Sequence, residues 1–334
     1  MQLLALTDPG CAPSIRYRVA QYDSLLKARG VTLQIIPMPR DPSGHADLLN
    51  SVAESDVVLI QRCLPKLSLL RQIRQRARRL VYDFDDAVIY RESTHHKPRL
   101  LLRRWWRFRE IMRSCDAVTA GNGYLSGLAK RYAPDNRVFV LPTTLDLEPY
   151  DREISSAPEP GPVLGWIGGH WTLPYLEQLR RPLEQLSDIV PGLTVRVIAD
   201  KPPDLGKTRV ELIPWDAATE VRELKRLRVG LAPLPRDAWT HGKCGLRLLQ
   251  YLAAGIPAVA SPVGTQAELI HAGAALPASS EADWLQAIQQ VLNDRYLTAD
   301  LVAAGREIVR EQFCAPVWAG QLRAFWCGSN EPHA

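Results

Sequence analysis

The chain has 334 residues, 46% of them hydrophobic and 23% charged, a composition that excludes a disordered polymer and is long enough for two domains with separate cores. Its net charge of +5 is mild, and its six cysteines stand far apart with no CxxC pair, so neither a zinc site nor a disulfide framework is expected and a reducing cytosol fits. No run of about 18 apolar residues exists to span a bilayer, and MQLLALTDPG lacks a basic lead-in, reading as a first strand rather than a signal peptide.

In chain order, Leu3 to Leu6 forms the first strand, and a helix is expected near Tyr17 to Ala28. Between them, Asp8-Pro9-Gly10 and the segment from Ser14 to Arg18 form a strand-to-helix turn. There Gly10 lets the backbone approach a ligand, and Arg16 and Arg18 can meet an acidic one. Further short apolar strands follow at Thr32 to Ile36, Val57 to Ile60, Leu80 to Tyr82, Ala117 to Thr119 and Val138 to Leu141, alternating with helices as in a parallel sheet. Charge is unevenly placed along this half. Arg62, Lys66, Arg71, Arg74, Arg76, Arg78 and Arg79 follow one another without an acid, and a second cluster from Lys97 to Arg113 is opposed only by Glu110.

The third of these features is acidic. Asp83, Asp85 and Asp86 stand at the end of the strand that begins at Leu80, and unpaired they would repel one another. A D-x-D after a strand fits a metal or phosphoacceptor site of a magnesium phosphatase; carboxylates paired with nearby arginines are the structural alternative. His95 and His96 follow on a loop. In LLLRRWWRFREIM, residues 100–112, Leu101, Trp105, Phe108 and Met112 share one helical face while arginines crowd the others. Such a helix favours an anionic membrane surface, or packs into a core and leaves a solvated basic face; no nucleic-acid-binding motif accompanies it.

After Tyr150 the proline-rich bridge DREISSAPEPGP interrupts the pattern, and strands resume at Val163 to Ile167 and near Val195, Val210, Val229 and Ala258. A closing helix is expected from Asp283 to Leu292, and the aromatic segment from Phe313 to Trp326 is helical after Pro316. We therefore divide the chain into a first α/β lobe (1–155), a second (156–314) and a C-terminal helix (315–334). Gly168-Gly169-His170 ends the first strand of the second lobe, with Thr172 placed to cap a helix; paired glycines serve either a phosphate or a tight turn. Pro214-Trp215-Asp216 ends another strand, where Trp215 can stack on a base or staple a helix capped by Asp216. Asp237, Trp239 and His241 lie on the loop that follows the strand at Val229 and are within reach of a sugar.

Residues 241–268, HGKCGLRLLQYLAAGIPAVASPVGTQAE, carry the densest information. Apolar positions Leu246, Leu249, Leu252 and Ala253 follow a helical spacing while Lys243, Arg247 and Gln250 keep to another side. Gly255 falls where a left-handed helix end is wanted, Pro257 stops the helix, and Ala258 to Ser261 fits an interior strand. Thr265 and Glu268 have capping-box spacing, so a helix is expected there with backbone N–H groups facing the crevice. A plain αβα unit with solvated cations has the same pattern.

The string K-C-G-L-R-L-L-Q-Y-L-A-A-G-I-P-A-V-A-S-P-V-G, from Lys243 to Gly264, resembles the donor-binding core of GT-B glycosyltransferases of the family-four retaining type, in particular a subgroup reading K-C-G-x-K-L-L-x-Y-M-A-x-G-x-P-V-V-A-S-P-V-G. The resemblance is specific over roughly residues 160–315 and thinner before. It implies two Rossmann-like, doubly wound domains facing across a cleft, with a C-terminal helix recrossing to the first. Transfer of a sugar from a nucleotide-sugar co-substrate to a glycan or lipid-linked acceptor, retaining and without a metal, follows from it, in polysaccharide or glycoconjugate synthesis at the cytoplasmic face of the membrane. Donor contacts are then expected from Gly10, Gly168, Gly169, His170, Trp215, Lys243, Arg247, Gln250, Gly264 and Thr265, and acceptor contacts from Arg16, Arg18, Asp83 and His95. Lys243, Arg247, Asp85 and Asp86 are expected to carry the chemistry, the cations by neutralising a departing diphosphate. The chain departs from the family's E-x7-E signature, holding Gly242 and Gln250 where the acids would stand; an amide at 250 can still meet a ribose hydroxyl, and a non-catalytic sugar-nucleotide or membrane-binding module is the alternative the absent acids leave.

Overall fold

The computed structural model describes residues 1–10, 12–94, 99–134, 137–153 and 161–328. Two six-stranded, all-parallel sheets form its two lobes. The first lobe contains β1 (Gln2–Thr7), α1 (Ala12–Arg18), α2 (Asp23–Lys27), β2 (Thr32–Pro37), α3 (His45–Glu54), β3 (Val57–Gln61), α4 (Leu67–Arg76), β4 (Leu80–Phe84), α5 (Leu102–Ser114), β5 (Ala117–Ala120), α6 (Gly123–Lys130), β6 (Val138–Val140) and α7 (Glu148–Arg152). The second contains β7 (Val163–Ile167), α8 (Leu173–Glu177), α9 (Arg180–Ile189), β8 (Thr194–Ile198), β9 (Val210–Ile213), α10 (Glu220–Lys225), β10 (Val229–Ala232), α11 (Leu246–Ala254), β11 (Ala258–Ala260), α12 (Thr265–His271), β12 (Leu276–Pro277), α13 (Glu281–Asn293) and α14 (Arg295–Gln312), after which α15 (Ala315–Cys327) ends the described chain.

Every residue of β3, β4, β5, β7 and β10 is buried. That is the reason these strands read as continuous apolar runs: a parallel sheet is covered by helices on both faces. Strand order is β2-β1-β3-β4-β5-β6 in the first lobe and β12-β11-β10-β7-β8-β9 in the second. The order reverses beside β1 and beside β7, so each lobe opens a crevice at the carboxyl ends of those strands, where ligands of doubly wound sheets bind.

The expected single helix near Tyr17 to Ala28 is instead α1 and α2 joined by a 3-10 turn at Ala20–Tyr22. The 18-residue α14 was not foreseen, because its apolar stripe is thin; only Leu301, Gly305 and Val309 are fully buried. α15 packs on the first lobe, with Ala315, Leu322, Phe325 and Trp326 sharing one core with Leu3, Tyr22, Val57, Val81 and Leu141. Its end is held by Arg79, which donates to the carbonyls of Trp326 and Phe325, and by Trp326 Nε1, which donates to Thr119 Oγ1.

Residues 237–245 of the second lobe dock directly on the strand ends of the first. Asn122 caps α6 by accepting from the Leu125 N–H, and its amide donates to the carbonyls of His241 (3.2 Å) and Lys243 (3.3 Å). Tyr124 donates to the Ala238 carbonyl, and a Cβ on Gly121 would run into Cys244 Sγ.

Candidate active site

Three carboxylates at the end of β4 are held in three different ways. Asp83 is fully buried and accepts from Arg18 Nε at 3.0 Å, from Arg18 Nη2, and from Thr119 Oγ1 at 2.6 Å, while Arg18 Nη1 donates to the Leu141 carbonyl. Burial pulls the Arg18 guanidinium down, but the Asp83 carboxylate more than offsets this and holds it above the usual arginine value. Arg18 and Asp83, expected at an acceptor, thus form an internal ion pair beneath the cleft. The same burial corrects the expectation of a metal or phosphoacceptor role for Asp83, whose two oxygens are both taken.

Asp85 accepts from Ser14 Oγ at 2.7 Å on Oδ2, while its buried Oδ1 has no hydrogen-bond partner. Burial raises its pKa above the usual carboxylate range, opposed by Arg62 and reinforced by Asp86. Asp86 accepts from Arg62 Nη1 at 2.7 Å and from Lys243 Nζ at 2.8 Å, the latter reaching across from the second lobe. Arg62 is the one non-glycine residue with positive φ (60°) among the described residues, a strained backbone that follows β3 and carries a guanidinium to both Ser14 and Asp86. Sequence reading placed it in a basic run and missed this role, because the run gave no sign that one member turns inward.

Lys243 is not on the ligand helix as expected. It follows a 3-10 turn (Thr240–Gly242) in extended conformation, and α11 starts only at Leu246 behind a left-handed Gly245. Its ammonium lies 4.9 Å from the ring centroid of Trp239, a fully buried residue. Burial draws Lys243 down and Asp86 raises it further, leaving it above the ordinary lysine value. Among the described residues, no carboxylate lies within ion-pair distance of Arg247, in the first turn of α11. Its Nε donates to the Ile167 carbonyl at 2.5 Å, its Nη2 to Thr172 Oγ1 at 3.4 Å, and its guanidinium stacks 4.4 Å over Trp166. Burial alone lowers its pKa below the arginine norm, opposed by Tyr251 and Tyr175.

Gly168 belongs to the same cluster. A Cβ there would lie 2.6 Å from Trp166, 2.7 Å from Arg247 Nη2 and 2.9 Å from Thr172 Oγ1, so only glycine lets the loop sit against the guanidinium. Gly169 is closed on its other side by Trp171. His170 is paired through Nδ1 with Asp200, and its backbone N–H donates to the same carboxylate at 2.9 Å. Thr172 precedes α8 as expected but donates to the Gly169 carbonyl instead of capping the helix.

Around α10 the structure adds a residue that sequence reading missed. Glu220, 3% exposed, accepts from Trp215 Nε1 at 2.6 Å, from Tyr17 Oη at 3.1 Å and from Arg16 at 3.4 Å. Gln250 Nε2 in turn donates to Tyr17 Oη at 3.2 Å. Burial and the Glu220 carboxylate push the Tyr17 phenol above its ordinary value, so it remains a proton donor. Trp215 is about half exposed, with its indole N–H committed to Glu220. Asp216 accepts from the Ala218 N–H and closes the turn, whereas α10 starts at Glu220. The cap-like Asp216 is the local signal in this stretch, and nothing in the neighbouring sequence marks Glu220, four residues on, as a buried acid. Arg16 therefore meets Glu220 of the other lobe rather than an open acceptor face.

Gly264, the residue before α12, presses on the carbonyls of Lys243, His241 and Thr240. The expected capping box is absent: Thr265 is the first helical residue, its N–H donates to the Lys243 carbonyl at 3.3 Å, and its buried hydroxyl has no partner. The helix end thus meets the docked loop, not open crevice. Gly10 is exposed, its N–H donating to Asp8. His95 and the first residues of the 97–113 stretch, Lys97 and Pro98, lie outside the described residues.

On α5, Phe108, Ile111 and Met112 enter the core and Trp105 donates to Tyr132 Oη, so the apolar face serves packing. Leu100, Leu102 and Trp106 nevertheless remain exposed, at 45%, 72% and 47%, beside Arg103, Arg104 and Arg109, the last stacking on both tryptophans. No helix among the described residues is long and apolar enough to cross a membrane, and no group of three or more His, Cys, Asp or Glu side chains among them is arranged to hold a metal ion.

Two parallel, doubly wound lobes with their strand ends facing one another define the GT-B fold, and solved structures bear this out. Anabaena Alr3699/HepE, solved in complex with UDP and glucose, matches at a TM-score of 0.69 with 15% identity, over 97% of this chain and 98% of that one. Sucrose-phosphate synthase of Thermosynechococcus elongatus matches at 0.73 with 16% identity over 98% and 100% of the two chains. A glycosyltransferase of Rickettsia africae matches at 0.76 with 12% identity over 99% of each. Residues 177–324 match the family model described as glycosyl transferase-like. No curated protein sequence matches the chain.

Proposed function

We propose that the protein is a glycosyltransferase that takes a sugar from a nucleotide-sugar donor held by the second lobe and passes it to an acceptor held by the first. The observation that carries this reading is Arg247: a half-buried guanidinium, lying against Gly168 and Thr172 at the carboxyl end of β7, with no carboxylate of the described residues within ion-pair distance. Burying an uncompensated cation is unfavourable unless an anion completes the site. A donor diphosphate supplies that anion, with Lys243 as the second cation. As the bond from the sugar to the phosphate breaks, its electron pair passes to the diphosphate, where the two fixed cations stabilise it without proton transfer.

In this reading Asp85 and Asp86 face the reacting sugar from the first lobe. The unpartnered Oδ1 of Asp85 is the acceptor-side oxygen, held in orientation by Ser14. Transfer proceeds with retention and without a metal, which the two cations support. The acceptor is a glycan or a lipid-linked glycan of polysaccharide or glycoconjugate synthesis. The exposed Leu102 and Trp106 among arginines support attachment to an anionic membrane from the cytoplasmic side.

A thermal-shift screen against UDP, GDP, ADP and CMP sugars tests the donor half of the proposal, since a ligand bound to the native state raises the melting temperature. We expect one nucleotide class to stabilise the protein and slow release of free sugar from it. No shift with any of the four overturns the reading. Sedimentation with phosphatidylglycerol vesicles tests the membrane half: binding that falls with salt and with Trp106→Ala is expected, and none at low salt rejects it.

A further inference from the structure

A second concentration of cations lies where the two chain crossings between the lobes meet. There the Leu145 N–H donates to the Phe313 carbonyl, and the Ala315 N–H donates to the Leu145 carbonyl. Beside this junction α7, α10, α11 and α14 border a cavity of about 180 Å³. Its charged lining is unbalanced, with Lys225, Arg306 and Arg310 set against Asp151. Arg306 and Arg310 stand four residues apart on α14 and so share one side of that helix. Arg310 forms an ion pair with Asp151. Lys225 Nζ donates to the carbonyl of Tyr150 at 2.6 Å and to that of Glu153, neither of which carries a charge. No carboxylate of the described residues lies within ion-pair distance of Lys225 or Arg306. The Arg306 guanidinium rests instead over the end of α11, where a Cβ on Gly255 would come within 2.3 Å of Nη2. Burial and the Arg306 charge draw Lys225 below the ordinary lysine value, against the opposing pull of Glu153 and Asp151. Two cations thus repel one another across the cavity, beside the buried side chain of Val309.

We propose that this cavity binds a phosphate dianion, free or carried by a small monoester, through Lys225, Arg306 and Arg310. Its size sets one limit. The volume is below the roughly 300 Å³ at which pockets for drug-sized molecules begin, so a small ion with a few waters fits and a nucleotide does not. Charge and geometry set the other. A dianion matches the two cations that lack a carboxylate, and the forked N–H groups of arginine match phosphate oxygens in parallel pairs. The bound ion joins α10 to α14 beside α7, and so fastens the segment that leaves the first lobe to the second. None of the donor cations takes part, and the site stands or falls apart from the donor reading above.

Calorimetry on the full chain at low salt tests this, with inorganic phosphate and glycerol 3-phosphate as probes and sodium chloride at equal ionic strength as the blank. Arg247→Met is run beside the wild type to remove phosphate held by the donor cations. In both proteins we expect saturable binding of at least one probe, and the tighter of the two tells a free phosphate from an esterified one. Arg306→Gln alters an exposed side chain. It is expected to keep the melting temperature within a few degrees and to weaken binding about tenfold or more, as loss of a charged hydrogen-bond partner implies. Asp151→Asn, which removes the opposing charge, is expected to tighten binding several-fold. Binding of neither probe by the wild type, or wild-type affinity in Arg306→Gln, overturns the site. Binding that is lost in Arg247→Met and kept in Arg306→Gln places the phosphate in the cleft and overturns it equally.

Discussion

Lys243 Nζ lies 2.8 Å from Asp86 Oδ1, an ion pair that joins the two lobes at the centre of their cleft. Asp86 also accepts from Arg62, so one carboxylate holds two cations, and the ammonium proposed to meet a diphosphate is already engaged by an anion of the chain. Donor binding and this contact therefore compete for the same charge.

Asp86→Asn removes the competing charge without changing the shape of the side chain. We expect nucleoside diphosphate to bind several-fold more tightly, by calorimetry at low salt, while sugar transfer falls. Unchanged or weaker diphosphate binding would separate Asp86 from the control of Lys243.

Arg247→Met orphans no carboxylate of the described residues, since none of their acids lies within ion-pair distance of this guanidinium. The melting temperature is expected to stay within a few degrees, whereas diphosphate affinity drops roughly 10- to 100-fold, the range for hydrogen bonds to charged groups. A structural role would show the opposite split, with stability lost and affinity kept.

Arg18→Met strands Asp83 in the core, where only Thr119 remains as a partner. Breaking a buried pair from one side is worth about 3–5 kcal/mol of stability, measurable by urea denaturation. Arg18→Met with Asp83→Leu is expected to recover much of it, because the desolvated charge leaves with its partner.

Asp85 gives the protein a pH dependence of definite sign. Burial raises its pKa in the folded state, so its favourable contribution is complete below the ordinary carboxylate range, near pH 4, and is lost as pH climbs through the raised value. Asp85→Asn is expected to melt higher than the wild type at neutral pH and to converge with it in acid. Parallel melting curves of the two proteins from pH 4 to 8 would contradict this.

The period-two and period-3.6 patterns were enough to locate nearly every strand and the helix at α11, because burial on both sheet faces forces continuous apolar runs such as Val57–Ile60 and Val163–Ile167. Gly255, at φ 71°, ends α11 where its position implied, since the left-handed region admits few other residues. The cations of the Lys243–Arg247 segment also stand out in local sequence, beside a glycine stop and a short strand. The partners of these groups were not. Arg18 and Asp83 are 65 residues apart, Lys243 and Asp86 157, and Tyr17 and Glu220 203.

What the amino-acid order determined alone was the alternation of elements and the two lobes, because these depend on neighbours along the chain. Only the tertiary structure decided which charges are paired within the protein and which are left without a carboxylate partner among the described residues. Arg18, Arg62 and Arg247 look alike as letters, yet one is neutralised beneath the sheet by Asp83, one is turned inward to Asp86, and one lies half-buried against glycine and tryptophan with no acid of the described residues to meet it. The difference arises from packing between segments far apart in sequence, which sets both the desolvation of each cation and the distance to its nearest carboxylate.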